Sequence, residues 1–339
     1  MIVYPVIIVG CPRSGTTLLY NILSEIPSLW SIGYESKEII ERFHHPRTKD
    51  WESGALDETD LTAASRTYIL DAFERAAAPG TFWRWVNRFR SWLRGNPIWT
   101  RVKQHGRTGR HGSAVSSAVP QQGLDMIRAF VRFRNSLRPG PARRSIRLLE
   151  KTPENCLRLP FLLALFPDAR IIHLVRKGPA NVSSLMEGWK EPHLFPGYQV
   201  PEPLAIPGYL RDRWAFTLIP GWRDLVDQPL EEVCAWQWIR CNEAVLEHRE
   251  EARDSVPYLT VRYEHLVADP VTVLRRIADF IEVDFEHSLG RFRSGLPRVN
   301  VVSKPDPDKW KRRNPEAIER ILPLIQPMGE RLGYPSNSW

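Results

Sequence analysis

No stretch of about 20 apolar residues, the length a helix needs to cross a bilayer, occurs in this sequence. No basic leader with an apolar core precedes its first patterned element. A bundle of membrane helices is therefore excluded, and a soluble chain, peripheral to a membrane at most, is expected in the cytoplasm. Cysteine is scarce: Cys11, Cys156, Cys234 and Cys241 are the only 4, and their spacing matches no zinc module. So few in a chain of 339 residues point to reduced thiols rather than a disulfide framework. Internal repeats are absent, which excludes a repeat architecture. Acidic residues do not predominate either: 39 Asp and Glu face 47 Lys and Arg, a formal charge of +8. That balance favours an anionic partner without saying whether it is a nucleotide, a nucleic acid or a membrane surface.

What is present is a globular composition, 42% hydrophobic, enough for a substantial core in one large or two ordinary domains. The stretch "VIIVGCPRSGTTLLYNIL" (6–23) begins with a branched apolar run that reads as a buried strand. It closes with Leu18, Leu19, Ile22 and Leu23 on one helix face. Between them Gly10, Arg13, Ser14, Gly15, Thr16 and Thr17 bring amides, hydroxyls and a guanidinium to the start of a helix, where the unpaired N–H groups and the dipole suit an anion. "LWSIGYESKEII" reads as a second strand-to-helix edge. Strands follow in "IRLLEKTPEN" (146–155), "ARIIHLVRK" and "VPYLTVRYEHL". Helices are expected through "CLRLPFLLALF", around "ANVSSLMEGW", over "EEVCAWQWIRCNEAVLEHREEA" and from the proline of "PVTVLRRIADFI". A last, proline-interrupted helix is expected in "NPEAIERILPLIQPMGERLGY". The alternation predicts an α/β fold, a parallel sheet flanked by helices with a P-loop-like site, in a single domain over 1–339. Within it, residues of about 51–145 read as a helical insertion or lid, and 101–119 is basic, aperiodic and rich in Gly and Ser.

The loop from Gly10 to Thr17 has the glycine spacing of a P-loop, but Thr16 stands where the phosphate-binding lysine belongs. The strand that would end in a magnesium-binding aspartate ends instead in Arg176 and Lys177. Charge neutralisation by side chains alone, with no metal, is the expectation.

With these residues in view, the sequence resembles the sulfotransferases that use 3′-phosphoadenosine 5′-phosphosulfate. "CPRSGTTLL" is similar to the family's 5′-phosphosulfate loop, which implies cofactor-binding roles for Arg13, Ser14, Gly15, Thr16 and Thr17. "VRKGPANVSSL" is similar to its 3′-phosphate motif, with Arg176 at a strand end and Ser184 eight residues on. "VRYEHLVADP" matches a later strand-and-turn signature in which Tyr263 lies near the nucleotide. "SKPDPDKW" is a weaker fourth match in which Ser303 and Lys304 stand in for an absent glycine-rich cover. The resemblance runs from residue 6 to about 333 and leaves only the middle insertion uncovered.

Sulfuryl transfer needs a base for the acceptor proton, cations for the charge that grows on the bridging oxygen, and in-line positioning. Glu35 resembles the glutamate that serves as base in protein-tyrosine and several bacterial sulfotransferases. Lys151, leaving a strand end with its ammonium free to reach the cofactor, resembles the transition-state lysine, and Arg13 adds a second cation. Pro153 occupies the position where cytosolic small-molecule sulfotransferases carry a basic histidine, so the base is Glu35 or a neighbouring His44 or His45. Lys37 either assists or is solvated. The acceptor expected is a small-molecule or lipid-linked hydroxyl, such as a glycolipid, carbohydrate or other secondary metabolite. An apolar stripe with arginines at 82–94 is open to three uses: core, lid, or a peripheral membrane surface. Two rivals remain, a P-loop kinase or nucleotidase using ATP and Mg²⁺, and a basic nucleic-acid-binding module. Against the latter, the basic stretch at 101–113 has no aromatic residue on which a base could stack.

Overall fold

The structure, a computed structural model, describes residues 1–26, 28–33, 35–77, 145–191, 194–293, 295–296 and 308–335. Ser303, Lys304, the stripe at 82–94 and the basic segment at 101–119 lie outside the described residues.

Strands β1 (Val6–Val9), β2 (Trp30–Ser31), β3 (Leu148–Lys151) and β4 (Arg170–Val175) alternate with helices. These are α1 (Thr16–Leu23), α2 (Lys37–His44), α3 (Ala63–Ala76) and α4 (Leu159–Leu165). The chain continues through α5 (Gly178–Trp189), a small antiparallel hairpin of β5 (Tyr198–Gln199) and β6 (Arg213–Trp214), and the long α6 (Leu230–Ala252). It ends with β7 (Tyr258–Arg262), α7 (Tyr263–Ala268), α8 (Pro270–Phe280), α9 (Glu286–Leu289), α10 (Trp310–Arg313) and α11 (Pro315–Arg331). Among the described residues, five strands pair in the order β2-β3-β1-β4-β7, every pair parallel.

A parallel sheet needs apolar cover on both faces, and the alternation of β1 supplies it. Ile7 and Val9 face one core with Leu148, Ile171 and Val175, beneath α2 to α6 and α11. Val6 and Ile8 face the other with Leu149, Ile172 and Leu174, beneath α1 and α8. All four β1 side chains are fully buried, each worth about 1.5–3 kcal/mol relative to exposure. Residues 51–77, the first part of the segment expected as an insertion, belong to the first core: Leu56, Ile69 and Phe73 are buried in it, and the Leu56 amide donates to Leu157 O at 3.1 Å.

The last helix differs from expectation, since α11 runs unbroken through Pro323 and Pro327. Each proline removes one backbone donor and costs roughly 3 kcal/mol in a helix interior. Both are solvent-exposed, so the freed carbonyls meet water, while Ile318, Ile321, Ile325 and Met328 hold the opposite face in the core.

At the centre of β4, His173 is 1% exposed, and its Nε2 meets Asn242 Oδ1 at 3.1 Å. Because Asn242 Nδ2 already donates to Trp238 O, the amide oxygen faces the ring and Nε2 carries the proton. Burial pushes the His173 pKa down to about 4, against the smaller upward pull of Asn242. The unfolded chain therefore binds the extra proton first, and His173 contributes stability that is present above about pH 6.5 and lost as pH falls towards 4. The contribution is about 3 kcal/mol when fully lost. Unfolding by urea across this pH range is expected to show a shallower loss of stability for His173→Gln than for the parent chain; parallel curves would contradict it.

Candidate active site

The loop after β1 is shaped by close contacts with its neighbours. A Cβ on Gly10 would lie 2.3 Å from the Leu174 carbonyl of β4, so only glycine lets the chain leave the sheet there. Gly15 caps α1 in the left-handed region at φ +102°, and a Cβ on it would stand 2.6 Å from the Tyr263 ring. Between them Arg13 takes φ +72°, a strained conformation costing roughly 1–3 kcal/mol in a non-glycine residue. Strain of this kind persists where the surroundings over-determine it. Asn181 on α5 provides part of that support, donating to Pro12 O at 3.0 Å and to Cys11 Sγ at 3.5 Å. The first turn of α1 contains no acidic residue, so the positive end of its dipole is not offset from within.

Four expected site residues converge on this loop. Arg13 Nε donates to Ser184 Oγ at 3.3 Å, and Arg176 Nη1 donates to Arg13 O at 2.9 Å. The Arg176 guanidinium lies 4.9 Å from the centroid of Tyr263, whose ring also packs on Gly15. Burial, then the neighbouring Arg176 charge, push the Arg13 pKa down to about 10, and burial lowers Arg176 as well. Two polar atoms here are buried with no hydrogen-bond partner among the described residues: Ser14 Oγ and Arg176 Nε. A site with two crowded cations and orphaned donors fits a multiply charged anion such as a phosphate ester.

A second cluster forms at the ends of β2 and β3. Lys151 Nζ and Glu35 Oε1 are 2.5 Å apart, with the lysine side chain 4% exposed and the carboxylate 45% exposed. The ammonium is therefore not free, as the sequence led us to expect, because an amine this deeply buried takes the nearest carboxylate. Lys37 is ion-paired with Glu154 at 3.0 Å and lies over the Tyr198 ring.

The pattern of the sulfotransferase family matches residues 5–195 and 211–287. The chain belongs to the sulfotransferase family.

This sulfotransferase is 24% identical over 270 residues to protein-tyrosine sulfotransferase A of Caenorhabditis elegans, covering 75% of this chain and 59% of that one. It is 25% identical over 203 residues to protein-tyrosine sulfotransferase 1 of Danio rerio, covering 55% and 48%. The chain thus spans about half the length of the curated relatives it matches. Among solved structures, sulfotransferase STF9 from Mycobacterium avium aligns with a TM-score of 0.44 at 19% identity, over 97% of this chain and 77% of that chain.

The two histidines named as alternative bases have other surroundings. His44 packs edge-on to Phe161 at 5.0 Å, and His45 Nδ1 accepts the Arg47 amide at 3.2 Å while its ring packs on Trp51. Burial lowers the pKa of both.

Sequence reasoning missed Asn181, which shares a helix face with Ser184 three residues on; that spacing was the available signal. It also missed Phe195, whose ring lies 4.9 Å from the Arg13 guanidinium, and Glu264, which accepts the Lys177 amide and the Tyr334 hydroxyl. No local pattern marks either of these two, because their partners are distant in sequence.

Gly15→Ala forces a side chain into left-handed backbone and against the Tyr263 ring, for an expected loss of about 2–4 kcal/mol in chemical denaturation. Combined with Tyr263→Leu, the loss is expected to be smaller than the sum of the two single changes, and strict additivity would show that the two residues do not touch.

Proposed function

We propose that this protein moves a sulfuryl group from 3′-phosphoadenosine 5′-phosphosulfate to the hydroxyl of a small-molecule or lipid-linked acceptor. The observation that carries this reading is the contact of Glu35 with Lys151 at the sheet edge that also bears Arg13 and Arg176. Family membership supports it. The names of the curated relatives add a phenolic hydroxyl to the acceptors worth testing.

Arg13, Ser14, Gly15, Thr16 and Thr17 would hold the phosphosulfate end, and Arg176 with Ser184 the 3′-phosphate, while Tyr263 walls the loop. When bound, the donor would supply the sulfuryl group, and adenosine 3′,5′-bisphosphate would leave with the bridging oxygen. Glu35, half in solvent, is within reach of an incoming hydroxyl and takes its proton. Lys151 holds a buried positive charge beside it, where low dielectric strengthens its effect on negative charge that develops only in the transition state. The ion pair couples the two roles. Once Glu35 accepts a proton it loses its hold on Lys151, so the ammonium is released for the departing oxygen as charge appears there. The reading needs no metal.

Adenosine 3′,5′-bisphosphate is expected to raise the melting temperature well above the effect of AMP or of ATP with Mg²⁺, because only a ligand that favours the folded state stabilises it. Arg176→Ala is expected to abolish that preference, since a hydrogen bond to a charged group contributes about 1.5–3 kcal/mol. Equal stabilisation by ATP with Mg²⁺ would favour a kinase or nucleotidase.

Glu35→Gln is expected to lower turnover by roughly 10²- to 10⁴-fold with bisphosphate affinity intact. An acidic acceptor such as 4-nitrophenol has less need of a base and is expected to recover part of the loss, whereas Lys151→Ala, defective at the leaving group, gains no such rescue. Normal turnover in Glu35→Gln with loss in His44→Ala or His45→Ala would move the base to a histidine. A screen of metabolites and a tyrosine peptide for products gaining sulfate identifies the acceptor.

A further inference from the structure

Glu35 is four residues beyond the last residue of β2, a strand of only two residues at the edge of the sheet, so the strand ladder does not hold it. Lys151 closes β3 and is flanked by Glu150 and Thr152, residues that share the opposite side of an extended chain. Both are buried, at 1% and 0% exposure. The Ser36 amide, belonging to the peptide bond that follows Glu35, donates to Thr152 Oγ1 at 2.7 Å. The Thr152 hydroxyl in turn donates to Glu150 Oε1 at 2.7 Å, and Asn155 Nδ2 donates to Glu150 Oε2 at 2.8 Å. Since a hydroxyl carries one proton and that of Thr152 goes to Glu150, the Ser36 hydroxyl, 3.0 Å from Thr152 Oγ1, is the donor in that contact. Every group in the chain of bonds has its direction set, with the buried carboxylate as the final acceptor.

We infer that Thr152, anchored by Glu150, is a positioning residue that ties the backbone at Glu35 to the end of β3 and so sets the spacing of the Glu35 carboxylate from the Lys151 ammonium. The inference rests on the roles proposed above for Glu35 and Lys151. Thr152 is buried and acts only through its neighbours. Its hydroxyl does what a longer β2–β3 ladder would do elsewhere, accepting a backbone amide that the edge strand leaves beyond its reach. Asn155 holds the second oxygen of the Glu150 carboxylate, so both oxygens are fixed on the side of the strand away from Lys151. The arrangement explains why an acidic residue is buried in an apolar sheet: burial pushes its pKa up, and the hydrogen bonds it accepts from Thr152 and Asn155, with the charge of Lys151, oppose that. A displacement of about 1 Å between reacting groups can cost 10²-fold in rate, so a small slackening here is enough to register.

The test compares Thr152→Val, which keeps the shape and removes the acceptor, with Thr152→Ser, which keeps the hydroxyl. Amide hydrogen exchange at Ser36 needs no acceptor substrate and reads the clamp directly; it is expected to speed by about 10-fold or more in the valine variant and to stay near the parent rate in the serine variant. With phenol as probe acceptor, Thr152→Val is expected to lower kcat by about 10- to 100-fold, with KM and the affinity for adenosine 3′,5′-bisphosphate within about 2-fold of the parent. Thr152→Ser is expected to restore most of it. In a Glu35→Gln background the valine change is expected to cost little more, because the residue it positions is already disabled. Unchanged exchange at Ser36, or a full additional loss in the double variant, overturns the clamp. Loss of bisphosphate binding in Thr152→Val would make the residue structural and also overturns it. If Glu35→Gln alone keeps full turnover while exchange at Ser36 responds to Thr152→Val, the base assignment fails and the tether stands as a structural fact.

Discussion

The parallel pairing of β1 between β3 and β4 is the constraint on which the rest depends. Because every strand of the described sheet runs the same way, every strand ends on the same edge, and each delivers one element of the site there. The Arg13 loop follows β1, Glu35 follows β2, Lys151 ends β3, Arg176 follows β4 and Tyr263 follows β7. Ligands of open parallel sheets bind in the crevice outside those carboxyl ends. Reversing any one strand would send its residue to the far edge. The apolar burial that stabilises the sheet on both faces therefore also gathers the polar groups.

Two electrostatic regimes sit side by side on that edge. Around the first loop, Arg13 and Arg176 are drawn together by Arg13 O and by Tyr263, and their pKa values fall because each is buried and, for Arg13, because the other is near. At the second, Lys151 is in contact with Glu35. The first region gathers two guanidinium groups with the carboxylates of Glu187 and Glu264 in their field, whereas the second is a direct ion pair. Two buried arginines thus share one region, and a buried lysine in contact with a half-exposed carboxylate makes up the other.

Much of this was legible in the chain. The period change from strand to helix around Gly10 and Gly15, and the arginines at strand ends, are local patterns, and local patterns place residues on elements. Their meeting followed from the alternation of strands and helices, which implies a parallel sheet. The unbroken α11 was not legible, because whether a proline ends a helix depends on which face meets water. Nor was the burial of Lys151: a strand-end lysine reads as a surface charge until the neighbouring strand is placed. The Ser36–Thr152–Glu150 chain joins positions 116 residues apart and has no signature in either segment alone.

The packing of Tyr263 on Gly15 has a consequence for how the molecule comes into being. Chains emerge from synthesis N-terminus first, so the loop that follows β1 is made about 250 residues before the ring that walls it. β7 adds to the sheet only by pairing with β4, and contacts this distant in sequence form slowly because the entropy of closing the intervening chain is paid first. Until then the glycine loop has its amides but no lid of aromatic surface, and Arg176 lacks the ring on which it rests. The wall of the loop is thus completed only once β7 has joined the sheet, long after the loop itself has been made.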